Sequence, residues 1–125
     1  MNKEQKRRDE IMELEASNYV GGLQKFEALT LEQLETLVKE DFVALTDTKK
    51  HKPTVNSFLE LMKKYPDVEA HGYVIGADRE DYRLIIEGLV FLGKVEENLA
   101  IDFKKLCKKA DDLRVEKNEL YSWWG

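Results

Sequence analysis

The chain has 125 residues, 42% hydrophobic and 36% charged, with a formal net charge of −5. That length suits one domain with one continuous core, and the composition excludes a disordered chain. The acidic balance argues against a general affinity for nucleic acid or anionic membrane, while leaving room for a local basic patch.

The opening, MNKEQKRRDE, is charged and leads into no long apolar run, so it does not read as a secretory signal. No stretch approaches the roughly 18 to 20 apolar residues that cross a bilayer. The single cysteine, Cys107, allows no internal disulfide and suits a reducing compartment. A soluble, cytoplasmic protein is expected.

Helical spacing of Met12, Ala16, Tyr19, Val20 and Leu23 predicts a first helix over residues 3–20, ended by Gly21-Gly22. Residues 1–8 are solvated charge and are expected to fray. A second helix is predicted from Leu31 to about Glu40. Thr30 and Gln33 make a T-x-x-Q capping box, Leu29 and Leu34 are placed as a hydrophobic staple, and Leu31, Leu34, Leu37 and Val38 form the stripe. Phe42 to Leu45 is a short apolar run that reads as an edge strand or a core plug. Residues 46–52 form a polar loop. Pro53 and Thr54 open a third helix with Phe58, Leu59, Leu61, Met62 and Tyr65 on its apolar face, and Pro66 stops it.

The most informative stretch is Ala70 to Leu92, AHGYVIGADREDYRLIIEGLVFL. Two runs rich in β-branched and aromatic residues flank the polar insert Asp78-Arg79-Glu80-Asp81, which reads as a β-hairpin. Tyr82, Ile85, Ile86 and Leu89 also fit helical spacing. The density of strand formers around Gly88 favours strand, with Gly88 marking a bulge. A further helix is predicted from Val95 to about Ala110, striped by Leu99, Phe103, Leu106, Ala110 and Leu113. The tail, LRVEKNELYSWWG, reads as one or two short strands added to the hairpin. The expected fold is α+β: a single domain over 1–125 with three to four helices on a small antiparallel sheet.

No P-loop, dinucleotide fingerprint, zincin or nucleophile-elbow motif occurs. One cysteine and two histidines cannot make a zinc site of the usual spacing within one chain. No cofactor or metal is predicted. The insert and its flank, Asp78, Arg79, Asp81, Tyr82 and Arg83, form the first candidate partner-binding group; the alternative is a solvated turn whose charges pair locally. Trp123 and Trp124 form the second, either as a core anchor or as an exposed hot spot. Lys49, Lys50 and Lys52, with Lys104, Lys105, Lys108 and Lys109, would form a nucleic-acid patch if folding joined them; a solvated loop and helix face is the ordinary alternative. A small enzyme would use His71, Asp81 and Arg83. Cys107 reads as a core residue.

Three segments, LTLEQLETLVKEDFVAL, PTVNSFLELMKKYP and AHGYVIGADREDYRLIIEGL, resemble a group of small uncharacterised bacterial proteins carried on mobile or phage-like elements. The resemblance spans about half of the chain, from Leu29 to Leu89. It implies no activity, cofactor or catalytic residue, and suggests element maintenance, regulation or countering host defences as settings. The leading expectation is a non-enzymatic protein-interaction or regulatory module acting on a protein partner or by self-association. A winged-helix-like nucleic-acid binder is the second reading and a small enzyme the third. The long connection between the second and third helices and the acidic charge count against the second.

Overall fold

The computed structural model describes residues 3–48 and 51–125; Lys49 and Lys50 of the sequence-derived basic patch lie outside them. The described residues form α1 (Lys3–Met12), a 3₁₀ turn (Ala16–Asn18), β1 (Leu23–Leu29), α2 (Leu31–Lys39), α3 (Val55–Lys64), β2 (Glu69–Ile75), β3 (Arg83–Leu92), α4 (Glu97–Cys107), β4 (Asp112–Val115) and β5 (Glu119–Trp123). The strands make one antiparallel sheet in the order β1-β2-β3-β5-β4. The expected α+β class is therefore the observed one, with a sheet wider than the hairpin alone. No helix among the described residues is long and apolar enough to cross a membrane.

The predicted first helix is cut short. It ends at Met12 because Glu13 takes a left-handed backbone (φ 58°). Gly21 and Gly22, at φ 60° and 82°, form a tight turn into β1. Leu23, expected on a helical stripe, begins that strand, and Val20 is 79% exposed. The first turns do not stand off in solvent: Gln5 and Arg8 are buried, and the Gln5 side chain accepts the Ala77 amide at 2.6 Å.

Helix α2 begins where its local chemistry directs. The Gln33 amide donates to Thr30 Oγ1 (3.2 Å), and the Thr30 amide donates to Gln33 Oε1 (2.9 Å). Both orphan donors of the first turn are thus satisfied reciprocally. Thr30→Ala is expected to cost about 1 kcal/mol in urea titration; an unchanged midpoint would show that the cap contributes nothing. Helix α3 starts the same way, with the Ser57 amide donating to Thr54 Oγ1. The Phe42–Leu45 run forms no strand; Val43 plugs the core and Leu45 is exposed.

The second arm of the hairpin is strand, and it carries a bulge. His71 pairs with Gly88 but Gly72 pairs with Ile86, so Glu87 is the extra residue. Gly88 is required there by close approach, since a Cβ would lie 1.9 Å from the Ser122 carbonyl oxygen. The carbonyls around the bulge are satisfied from outside the pair. Lys52 Nζ donates to the Ile86 oxygen (2.8 Å), and the Trp124 amide donates to that of Glu87 (2.8 Å).

Helices α2, α3 and α4 cover one face of the sheet. Leu34, Leu37, Phe58, Met62, Leu99 and Phe103 pack with Phe26, Ala70, Val74, Ile86, Leu89 and Leu120 in one core. Alternation along each strand sends the intervening side chains to the other face.

Candidate functional site

That other face places Lys25 and Glu27 of β1, Glu69, His71 and Tyr73 of β2, Glu87, Val90 and Leu92 of β3, and Tyr121 and Trp123 of β5 side by side. A groove of about 430 Å³ runs across it, lined entirely by residues of β1, β2, β3 and β5. No helix contributes to its lining. Leu92 is 74% and Trp123 36% exposed, so large apolar groups face outward beside the charges.

His71 lies at the centre of this face. Its ring stacks on Tyr121 (centroids 5.0 Å apart, 6° between planes). Its Nε2–H donates to the Ser122 carbonyl at 2.7 Å. Burial lowers its pKa below the ordinary histidine value; the Ser122 carbonyl and the charges of Glu87 and Glu27 oppose that shift without cancelling it. The sign for stability follows. Above the ordinary value of about 6.5 the ring is neutral in both folded and unfolded chains. Below it the unfolded chain takes up a proton that the folded chain resists, so stability falls as pH drops from about 6.5 to the lower folded value. His71→Gln should lose this component, flattening the urea midpoint against pH relative to wild type. Identical profiles would mean that His71 is not held neutral by the fold.

The hairpin tip is the solvated turn with locally paired charges. Asp78, Arg79, Glu80 and Asp81 are exposed. Arg79 binds Asp81 through both Nε and Nη2, each at 2.9 Å, and its Nη1 donates to the Gly21 carbonyl at 3.3 Å. The tip is thereby tied to the Gly21-Gly22 turn. Tyr82 is half-buried under the Arg8 guanidinium, 4.7 Å from its ring centroid, and burial raises its pKa. Arg83 is exposed, with Asp47 at 3.9 Å.

His71, Asp81 and Arg83 do not meet. Arg83 pairs with Ile75, four positions along β2 from His71, a rise of roughly 13 Å. Asp81 is engaged by Arg79. The two tryptophans separate: Trp123 faces the groove, while Trp124 is 7% exposed in the core, edge-on to Phe58 at 5.6 Å.

Among the described residues, the two basic clusters meet in one cleft. Lys52 and Lys109 share a cleft of about 190 Å³ with His51, and Glu87 and Asp111 line it too. Lys104 and Lys105 on α4, and Lys108 just past its end, are exposed. Residues 40–54 separate α2 from α3, against about three or four in a helix-turn-helix. On α3, Lys63 lies 3.8 Å from Glu60 and Lys64 lies 2.7 Å from Asp102, so its outward cations are already paired.

Cys107 is fully buried, and burial pushes its thiol up to about 11, which removes it as a nucleophile in the folded chain. Among the described residues, no three His, Cys, Asp or Glu side chains gather as metal ligands. What the outward face offers is a shallow surface of interleaved charged, aromatic and aliphatic groups. Sequence reasoning missed Glu27, Glu69, Glu87 and Tyr121 as parts of it. The alternation of Gln24, Lys25, Phe26 and Glu27 was the signal that β1 has an outward face. No family model, curated protein or solved structure matches the chain.

Proposed function

We propose that this chain is a non-enzymatic protein-interaction module that presents the uncovered face of its sheet to a partner protein. The observation that carries the reading is the strand-lined groove with Tyr121, Trp123 and Leu92 at its surface. A solvated face of an antiparallel sheet ordinarily alternates to polar residues. Here it interleaves aromatic and aliphatic groups with charges, the mixture typical of interface centres and their rims. The separation of His71 from Asp81 and Arg83 leaves the enzyme reading without an assembled group. Carboxylates in both clefts disfavour a nucleic-acid backbone. A regulatory role on a mobile element, suggested by the resemblance noted above, is compatible with such a module.

Site-specific photocrosslinking in the native host tests the proposal. A crosslinking amino acid at Leu92, on the groove, is expected to give a discrete adduct identifiable by mass spectrometry. The same amino acid at Ile101, exposed on α4, should not. Equal adducts from both positions, or none from Leu92, would overturn the assignment of this face.

A further inference from the structure

We propose that the groove receives a lysine or arginine side chain from an extended segment of a partner protein, its charge held among Glu27, Glu69 and Glu87 and its stem lying on Val90, Leu92 and Trp123. This rests on the interaction reading above and adds the chemistry of the occupant. Within the groove lining, three carboxylates face one ammonium, that of Lys25. Neither Glu27 nor Glu69 makes an ion pair or side-chain hydrogen bond with a described residue. Among the described residues, the Glu87 carboxylate has one long contact, the Trp123 Nε1–H at 3.3 Å. His71 does not compensate them, because its ring is kept neutral and its Nε2 is committed to Ser122. The acidic excess is therefore unspent.

Spacing selects the occupant. Glu27 and Glu87 stand on β1 and β3, on either side of β2, roughly 10 Å apart at the usual distance between strands. A small cation bound by several oxygens needs them gathered at about 2.0–2.6 Å, and among the described residues no three His, Cys, Asp or Glu side chains are so gathered. A long, flexible cationic side chain needs no such convergence. Its methylenes can cover Val90 and Leu92 while the charge stays near the carboxylates. The same face already holds a cation in this manner: the Arg114 guanidinium sits 4.7 Å from the Tyr121 ring centroid. Trp123, the stronger cation–π acceptor by ring type, is left exposed beside it. A polyanion would meet the three carboxylates with like charge, and a purely apolar segment would leave them facing it unpaired.

The test is titration of the isotope-labelled full chain with three short extended peptides that differ only in charge: alternating lysine and valine, glutamate and valine, or serine and valine. The lysine peptide should shift the Trp123 indole and the His71 and Tyr121 amide resonances, with affinity falling as salt is raised. Glu27→Gln with Glu69→Gln should weaken it by about fivefold or more. Both glutamates lie on the outward face, and a preserved spectrum confirms that the variant folds. If it does not fold, Lys25→Glu serves instead and should tighten binding. Equal binding of the serine peptide at the same resonances, insensitive to salt, would refute the cationic occupant while leaving the face assignment standing. Shifts confined to residues outside the groove, or none with any peptide, would also refute it, and crosslinking at Leu92 then decides the face on its own.

Discussion

Deleting Leu120 to Gly125 is expected to abolish cooperative folding, not to trim a tail. β5 is an interior strand, paired with β3 through Val90, Phe91 and Leu92 and with β4 along all four of its residues. Its inward side chains, Leu120 and Ser122, are fully buried, and Trp124 just beyond it is nearly so. A tryptophan burying about 150–250 Å² contributes roughly 4–6 kcal/mol at about 25 cal/mol per Å², as an upper figure. Total stability of a domain is about 5–15 kcal/mol. Ser122 adds polar closure: its Oγ accepts the Leu89 amide at 3.0 Å, and its carbonyl accepts His71. The truncated chain should give no sigmoidal urea transition by far-ultraviolet circular dichroism. Point variants separate the two rings. Trp124→Ala should cost about 3–5 kcal/mol, whereas Trp123→Ala should stay within about 1 kcal/mol, since its ring faces solvent. A wild-type transition in the truncated chain would mean that β5 is not an interior strand.

What the sequence made legible was what neighbouring residues decide among themselves. The Thr30 capping box involves positions three apart, and the strand formers from Arg83 to Leu92 outweigh a helical spacing that they also satisfy. The inward and outward tryptophans follow from period-two alternation once the tail is a strand. β1 was hidden for two reasons. Leu23 completes a helical stripe with Met12, Ala16, Tyr19 and Val20, and Lys25 and Glu27 make the strand look solvated. The groove was beyond local reasoning because Glu27, Glu69, Glu87 and Tyr121 come from four strands. Only the pairing register, including the Glu87 bulge, brings them together. Residue types alone also suggest a group of His71, Asp81 and Arg83, which strand register disperses. The hairpin tip was recognisable as charge, but its tie to Gly21 depends on a turn far away in sequence.

The first helix departs furthest from hydrophobic patterning, and its removal from the fold should turn on one residue. α1 buries Gln5, Arg8 and Asp9 along with Met12. Arg8 is 1% exposed and bridges three parts of the chain. Its Nη1 donates to the carbonyls of Ile75 (3.1 Å) and Arg83 (3.4 Å), the pair that flanks the hairpin loop; its Nη2 donates to the Tyr19 hydroxyl (2.9 Å) and its Nε to Asp9 Oδ1 (3.2 Å). The Tyr19 hydroxyl completes the circuit by donating to Asp9 Oδ2 at 2.8 Å. Burial, followed by this bond to Asp9, pushes the Tyr19 pKa up to about 12. Arg8→Ala removes the cation and leaves the buried Asp9 carboxylate with Tyr19 as its remaining side-chain partner. Such a break is expected to cost about 3–5 kcal/mol. Arg8→Lys should recover little, because an ammonium cannot reproduce the planar fork that reaches both hairpin carbonyls and Tyr19. Arg8→Met with Asp9→Leu should be more stable than Arg8→Ala, since no lone charge remains in the interior. Urea titration ranks the variants, and hydrogen exchange of the α1 amides locates the loss. If Arg8→Ala unfolds within about 1 kcal/mol of wild type, the polar circuit does not hold α1 to the hairpin, and Met12 with its apolar neighbours must do so alone.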